Sequence, residues 1–226
     1  MEITFISDTH QFHRDDYEKS QLTSLLPGGP IIVHSGDMSG RGGHNEILEF
    51  LGWFDSLNYT HKILIAGNHD FMFDVNPEMA HGVLSNYPGI TYLNESGVVI
   101  EGIKFWGSPI TLYFHNWAFN RHPHEIAPHW EKIPDDVDVL ITHGPPFGIL
   151  DKTHYGKIQT GCPILLEKIK KIKPQVHAFG HIHEARGTVQ TEDTLFINAS
   201  TVDLRYNLYD MSAPFKFDIN PKKLVQ

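Results

Sequence analysis

The 226-residue sequence predicts an α/β fold whose sheet has parallel neighbours. Two patterns point to it. Apolar runs rich in β-branched residues and too short for helices occur at Ile3–Ile6, Ile31–Val33, Ile63–Ala66, Val137–Ile141, Val176–Phe179 and Leu195–Ile197, as in buried strands. Between some of them, at about Tyr17–Leu26, Asn45–Leu57, Pro77–Asn86 and Pro163–Ile172, apolar residues recur three or four positions apart, as on the buried face of a helix. The β-α-β-α alternation in the first 70 residues is the arrangement that places parallel strands side by side. A second group, Val98–Glu101, Lys104–Trp106 and the strands of the final third, is separated by Gly and turn residues and is expected to be antiparallel.

Composition narrows the class. Hydrophobic residues make up 40% of the chain, enough for one sizeable core, and no repeat, low-complexity tract or linker divides it, so residues 1–226 are read as a single domain. The single cysteine, Cys162, excludes an internal disulfide and a thiolate metal cluster and suits a reducing compartment. No basic segment leading a long apolar one and no run of about 18 apolar residues occurs, so a cytoplasmic protein without a membrane span is expected. The formal charge of −9 would repel a long nucleic acid and sits better with a small phosphorylated substrate. A homodimer is compatible with all of this. Histidine, at 16 residues against 18 Lys plus Arg, is abundant, and imidazole is the commonest metal ligand.

Chemistry enters where the polar residues fall. Five predicted strands each run into a cluster of glycines and potential ligands: Asp8-Thr9-His10, Gly36-Asp37, Gly67-Asn68-His69-Asp70, Thr142-His143-Gly144 and Gly180-His181-Ile182-His183. In open α/β sheets, ligands bind in the crevice beyond the carboxyl ends of the strands, so these clusters are expected to converge. The two histidines of His181/His183, if extended, would share one side, because strand side chains alternate with period two.

The ordered set Asp-x-His, Gly-Asp, Gly-Asn-His-Asp, His and Gly-His-x-His resembles the signature of calcineurin-like metallophosphoesterases, and it runs here from Asp8 to His183. Further likeness lies in Trp106-Gly107-Ser108-Pro109, in Thr142 to Asp151, in Gly161-Cys162 and in Ile197 to Thr201. These segments resemble the metallophosphoesterase-domain-containing (MPPED) subgroup, whose members act as metal-dependent phosphodiesterases. The resemblance implies a four-layer αββα sandwich, two mixed sheets flanked by helices. It places Asp8, His10, Asp37 and His183 around a first ion and Asp37, Asn68, His143 and His181 around a second, with Asp37 bridging. It also places His69 beside the ions as a transition-state or leaving-group residue. Unlike some members of the subgroup, this chain keeps both histidines of the last element.

The physical sense holds without the family name. One carboxylate can span two ions about 3.5–4 Å apart, and mixed nitrogen and oxygen donors suit Mn²⁺, Fe, Zn²⁺ or Co²⁺ better than Ca²⁺ or Cu(I); Mn²⁺ is the first expectation. Two divalent ions against Asp8 and Asp37 leave the site electropositive, able to hold a phosphate ester and to lower the pKa of a bridging hydroxide that attacks phosphorus. Asp70 either orients the His69 ring or caps the following turn. Arg41, in Gly36-Asp37-Met38-Ser39-Gly40-Arg41-Gly42, resembles a phosphate-clamping element of protein phosphatases, although Gly40 replaces its acidic residue; otherwise it is a solvated loop arginine. The aromatic segment Tyr113 to Arg121, with His115, either stacks a nucleobase or packs beneath a loop. Lys168, Lys170, Lys171 and Lys173 read as the solvated face and end of a helix. The expected reaction is hydrolysis of a phosphodiester such as a cyclic nucleotide; the rivals are a phosphomonoesterase or protein phosphatase of the same fold, and a non-catalytic metal-binding module.

Overall fold

Period-two burial builds the centre of the molecule. In a computed structural model, which describes residues 1–14, 16–153, 158–209 and 214–221, alternate residues of seven strands face one shared layer. That layer gathers Ile3 and Phe5, Ile31 and Val33, Ile63, Phe105, Val139 and Ile141, Val176 and Ala178, and Ile197 into one buried cluster. The strands belong to two sheets. The first has the order β13 (Phe215–Asp218), β1 (Glu2–Ile6), β2 (Gly29–His34), β3 (Tyr59–Leu64), β4 (Ile90–Tyr92), parallel throughout except for β13. The second runs β11 (Gly187–Gln190), β12 (Leu195–Asn198), β10 (Val176–Phe179), β9 (Val139–Thr142), β6 (Ile103–Ser108), β5 (Ser96–Ile100). A short parallel pair, β7 (Thr111–Leu112) and β8 (Asn120–Arg121), stands apart.

Residues of the opposite parity face outward and meet helices. Ile6, Ile32 and Leu64 join Ile47, Phe50, Leu51 and Phe54 of α2 (His44–Ser56), while Trp106, Leu140, Phe179 and Phe196 join Leu165, Ile169 and Ile172 of α6 (Pro163–Ile172) and Trp130 of α5 (Ala127–Glu131). The result is the helix-sheet-sheet-helix order implied by the resemblance. The spacing 47, 50, 51, 54 is one face of an α-helix, and Glu46 turns back to accept the N–H groups of Arg41 and Gly43, which fixes where α2 begins. Remaining helices are α1 (Asp16–Ser24), α3 (Phe71–Val75) and α4 (Pro77–Leu84). No helix among the described residues is long and apolar enough to cross a membrane.

The final third departs from expectation. β9, β10 and β12 are parallel to one another, and only β11 and β13 run antiparallel to their partners. The hairpin β5–β6 is antiparallel as expected. The reason is α6, which carries the chain across the sheet between β9 and β10 and returns it in the same direction, whereas Gly and turn residues signal only that a strand has ended. The lysines of α6 and its end pair with Asp135, Glu167 and Asp193. Cys162 is buried at the start of that helix, where its sulfur accepts the Trp130 indole N–H at 3.3 Å. His154 lies outside the described residues.

The outward face of β10 also buries His177. The Thr142 hydroxyl donates to the Gly144 carbonyl, so His177 Nε2–H donates to Thr142 Oγ1 at 2.8 Å. Burial pushes this imidazole down to about 3. Its folded pKa is below its unfolded one, so the unfolded chain binds the extra proton and stability falls as pH drops through about 6.5. Replacing His177 by Leu should remove about 2 kcal/mol of the stability lost between pH 7 and pH 5, read from denaturant unfolding at the two pH values; an unchanged pH slope would contradict the burial argument.

Candidate metal centre

The two sheets are tied together where their parallel strands end. Ser7, just past β1, bridges to Ser200, just past β12, and Thr201 donates its N–H to the Ser7 carbonyl at 2.8 Å. All five ligand clusters leave strands at this edge, four after β1, β2, β9 and β10 and one after β3. The backbone there is bent hard. Asp8 (φ 52), His10 (φ 40), Asp37 (φ 57) and His181 (φ 68) all occupy the left-handed region, which costs non-glycine residues energy and is held at functional sites by surrounding contacts.

Asp37 sits at the middle. Its Oδ2 lies 3.2 Å from His143 Nε2, 3.7 Å from His10 Nε2 and 4.0 Å from His69 Nε2, and its Oδ1 accepts the His69 N–H at 2.8 Å. Three groups of ligand atoms converge: Asp8, His10 and His183; Asp37, His143 and His181; and His10, Asp37 and His69. Asn68 Oδ1 adds to the second at 2.9 Å from His143 Nε2. His183 Nε2 lies 3.4 Å from Asp8 Oδ1 and 3.1 Å from His10 Nε2.

Hydrogen bonds at the rear of the rings decide which nitrogen faces inward. Nδ1 of His143 lies 2.9 Å from the Ser35 carbonyl, Nδ1 of His183 3.2 Å from the Asp203 carbonyl, and Nδ1 of His69 2.8 Å from the Gly40 carbonyl. Carbonyl oxygens only accept, so each Nδ1 carries a proton and each ring turns Nε2 toward the cluster, where its lone pair can ligate once that nitrogen is unprotonated. Carboxylates, an amide oxygen and these three Nε2 atoms therefore crowd together as acceptors, an arrangement that a proton or a cation must resolve. The donor set fits divalent metal ions.

Electrostatics agree. Burial pushes His10 and His181 down to about 4, keeping both in the neutral, ligating form. Burial also opposes charge on His143, but Asp37 beside it prevails and pushes it up to about 9; His183 is raised against burial by Asp8. Against the same burial, His143 holds Asp37 well below the usual carboxylate range, and His183 does so for Asp8. Both carboxylates are anions ready for cations.

The sequence expectations need three corrections. The His181/His183 pair is not on an extended strand: β10 ends at Phe179, Gly180 lies against Asp8 and Ser7 with no room for a side chain, and the chain turns left-handed at His181 into a 3-10 turn at His183–Ala185. The two imidazoles therefore join different groups instead of sharing one side. Asp70 neither orients the His69 ring, which the Gly40 carbonyl holds, nor caps α3 through its side chain. Its buried carboxylate accepts the N–H groups of Gly67 (2.8 Å), Asp37 (3.0 Å) and Ser39 (3.0 Å) and the Ser39 hydroxyl (2.6 Å), clamping the Asp37 loop to the Asn68 loop. Burial and the Asp37 charge raise it to about 6 while these donors pull it down. Finally, the aromatic segment divides. Trp117 stacks on His69 at 4.2 Å and Ala118 donates to the Asn68 carbonyl, whereas Tyr113 and Phe114 are exposed. His115 is also exposed, its ring against Phe114, and belongs to none of the three ligand groups; Arg41 is exposed.

Two supports went unread in the sequence. His34, fully buried at the end of β2, accepts the Gly36 N–H through Nδ1 at 3.2 Å and so donates from Nε2 to Thr9 Oγ1 at 3.1 Å, joining the Asp8 and Asp37 loops. A polar residue on the helix-facing side of an apolar strand was its only signal. The Ser200 hydroxyl lies 2.9 Å from Asp8 Oδ2, and Asn198 Nδ2 donates to the Ile182 carbonyl at 2.8 Å, so the Ile197-to-Thr201 segment steadies the first ligand and the histidine turn. Asp70→Ala should leave those buried N–H groups without an acceptor at roughly 1–3 kcal/mol each; denaturant unfolding of metal-free protein should show a loss of about 3 kcal/mol or more, and a loss under about 1 kcal/mol would refute the clamp.

Comparison with known proteins places this geometry. Residues 1–185 match the profile of the calcineurin-like phosphoesterases. Human metallophosphoesterase domain-containing protein 1 is 34% identical over 89% of this chain and 66% of its own length, and a Caenorhabditis elegans protein of the UPF0046 group is 34% identical over 95% of this chain and 79% of its own. This chain thus spans about two thirds of the human relative. The crystal structure of phosphopantetheinyl hydrolase from Mycobacterium tuberculosis superposes with a TM-score of 0.68 at 15% identity, covering 98% of this chain and 97% of that one, which shows a shared fold. With its motif order and its two-sheet architecture, the chain belongs to the calcineurin-like phosphoesterase family and is similar within it to the metallophosphoesterase-domain-containing proteins.

Proposed function

We propose that this chain, as one cytoplasmic domain, is a metal-dependent phosphoesterase that hydrolyses phosphodiesters of nucleotide type with two ions, Mn²⁺ first among Mn²⁺, Fe, Zn²⁺ and Co²⁺. The observation that carries the reading is the Asp37 carboxylate faced by three Nε2 atoms within 3.2–4.0 Å, grouped with His143 and His181 and, through His10, linked to the Asp8, His10 and His183 group. Asp8, His10, Asp37 and His183 would hold one ion and Asp37, Asn68, His143 and His181 the other. Ions bound there supply an acidified water and positive charge against the phosphoryl oxygens.

The chain's own residues do the rest. Carbonyl-anchored rings and the Asp70 clamp keep the ligands pre-arranged, so little reorganisation is needed as charge develops. His69 Nε2 faces the cluster with its Nδ1–H fixed to Gly40; with Nε2 protonated as well, it donates that proton to the departing alkoxide. Trp117 stacked on the ring limits its rotation. The exposed Arg41 and His115 are retained only as outer substrate contacts.

With added Mn²⁺, bis(p-nitrophenyl) phosphate should be cleaved faster than p-nitrophenyl phosphate. His69→Gln should lower kcat by about 10²–10⁴ with metal content unchanged, whereas Asp37→Ala should lose metal and activity together. A dominant monoesterase rate would turn the assignment to a phosphomonoesterase, and a fully active His69→Gln would remove its role. Because protons compete with cations for the imidazoles, metal content and rate should both fall between about pH 8 and pH 5; a flat profile across that range would contradict this ligand set.

A further inference from the structure

Beside the ligand cluster lies a cavity of about 540 Å³, within the size range of small-molecule sites. Its frame is the segment Thr142 to Asp151 and the pair Gly161-Cys162, which the metal centre leaves without a role beyond His143. The buried Asp151 carboxylate accepts the N–H groups of Gly148 at 2.7 Å and Gly161 at 3.1 Å, while Phe147 donates to the Cys162 carbonyl and Cys162 to the Pro145 carbonyl. Gly161 lies so close against Pro146 that no side chain fits. These bonds make a fixed wall. Trp130 and Cys162 are buried among the lining residues, and Phe114 and Phe147 line it while 56% and 39% exposed.

Two features decide what enters. His181, from the second ligand group, lines the cavity, and His69 does not; the space adjoins the metal centre through the second group and not through the His69 ring. No lysine or arginine lines it among the described residues, and Glu184 brings a carboxylate, so the described lining favours a neutral substituent over a second phosphate or carboxylate. We propose that this cavity binds the ester substituent that stays on phosphorus, taking an uncharged aromatic or apolar group and refusing an anionic one. The inference rests on the phosphodiesterase reading above and names its substrate class: diesters with one flat or apolar neutral arm.

Manganese-loaded full-length protein tests it with diesters that share the p-nitrophenoxide leaving group and differ in the other arm. KM for bis(p-nitrophenyl) phosphate should be about tenfold or more below KM for methyl p-nitrophenyl phosphate, the discrimination expected from burying a ring. Phe147→Ala and Phe114→Ala, both at exposed positions, should shrink that ratio toward one. A 4-carboxyphenyl arm should lose the advantage. Equal KM values in the unaltered protein, a ratio untouched by both substitutions, or a carboxylated arm bound as well as the neutral one would each overturn the proposal. Calorimetric binding of diphenyl phosphate against dimethyl phosphate reads the cavity without turnover. Preferential diphenyl binding lost in Phe147→Ala, with neither diester hydrolysed, would uphold the cavity and overturn the phosphodiesterase reading. Hydrolysis of both diesters at equal KM would do the reverse, and failure of binding and hydrolysis together would overturn both.

Discussion

The structure depends on a meeting of lone pairs. Asp8, Asp37 and Asn68 present oxygen, and His10 with the carbonyl-tethered His69, His143 and His183 presents Nε2, at separations of 2.9–4.0 Å in a buried edge of the molecule. Burying such acceptors against one another is unfavourable without a positive charge between them. The surrounding architecture is best understood as what keeps them from moving apart.

Three kinds of restraint do this. The inter-sheet layer, with Phe5, Val33, Phe105 and Ile141 buried between the sheets, fixes the distance between the two sets of strand ends, and the Ser7–Ser200 bridge fastens them at the site itself. Left-handed residues at Asp8, His10, Asp37 and His181 turn each chain abruptly, which is how ligands on neighbouring strands point at a common centre instead of along their strands. Beneath them, His34 and the Asp70 carboxylate pin loop to loop. Asp70 is buried among amide donors, so it positions Asp37 without touching what Asp37 would hold.

The ligand loops come from both sheets; the loop after β9 supplies His143 and then continues into the cavity wall, which the start of α6 completes, joined through Asp151 and the Trp130–Cys162 contact. A family can keep the ligand residues and vary the wall beyond them, because loops on a rigid scaffold tolerate change better than the elements that build the core.

The sequence by itself determined the elements and the inventory of candidate ligands. Short β-branched runs and helical spacing located the main strands and α2, α4 and α6, because burial on both faces of a sheet and on one face of a helix writes a period into local sequence. Residues after each strand were legible as ligands since donor type and strand-end position are local facts. What needed tertiary structure was whatever depends on partners distant in the chain. The parallel direction of β10 and β12, the two-residue strand β7 and the terminal β13 follow from crossovers and sheet edges, not from their own residues. Asp70 turned from ring orienter to loop clamp because its partners at Gly67, Asp37 and Ser39 are assembled only on folding. His181 and His183 parted because Gly180 must pass against Asp8, 172 positions earlier in the chain, and that contact sets a left-handed turn no alternation rule contains.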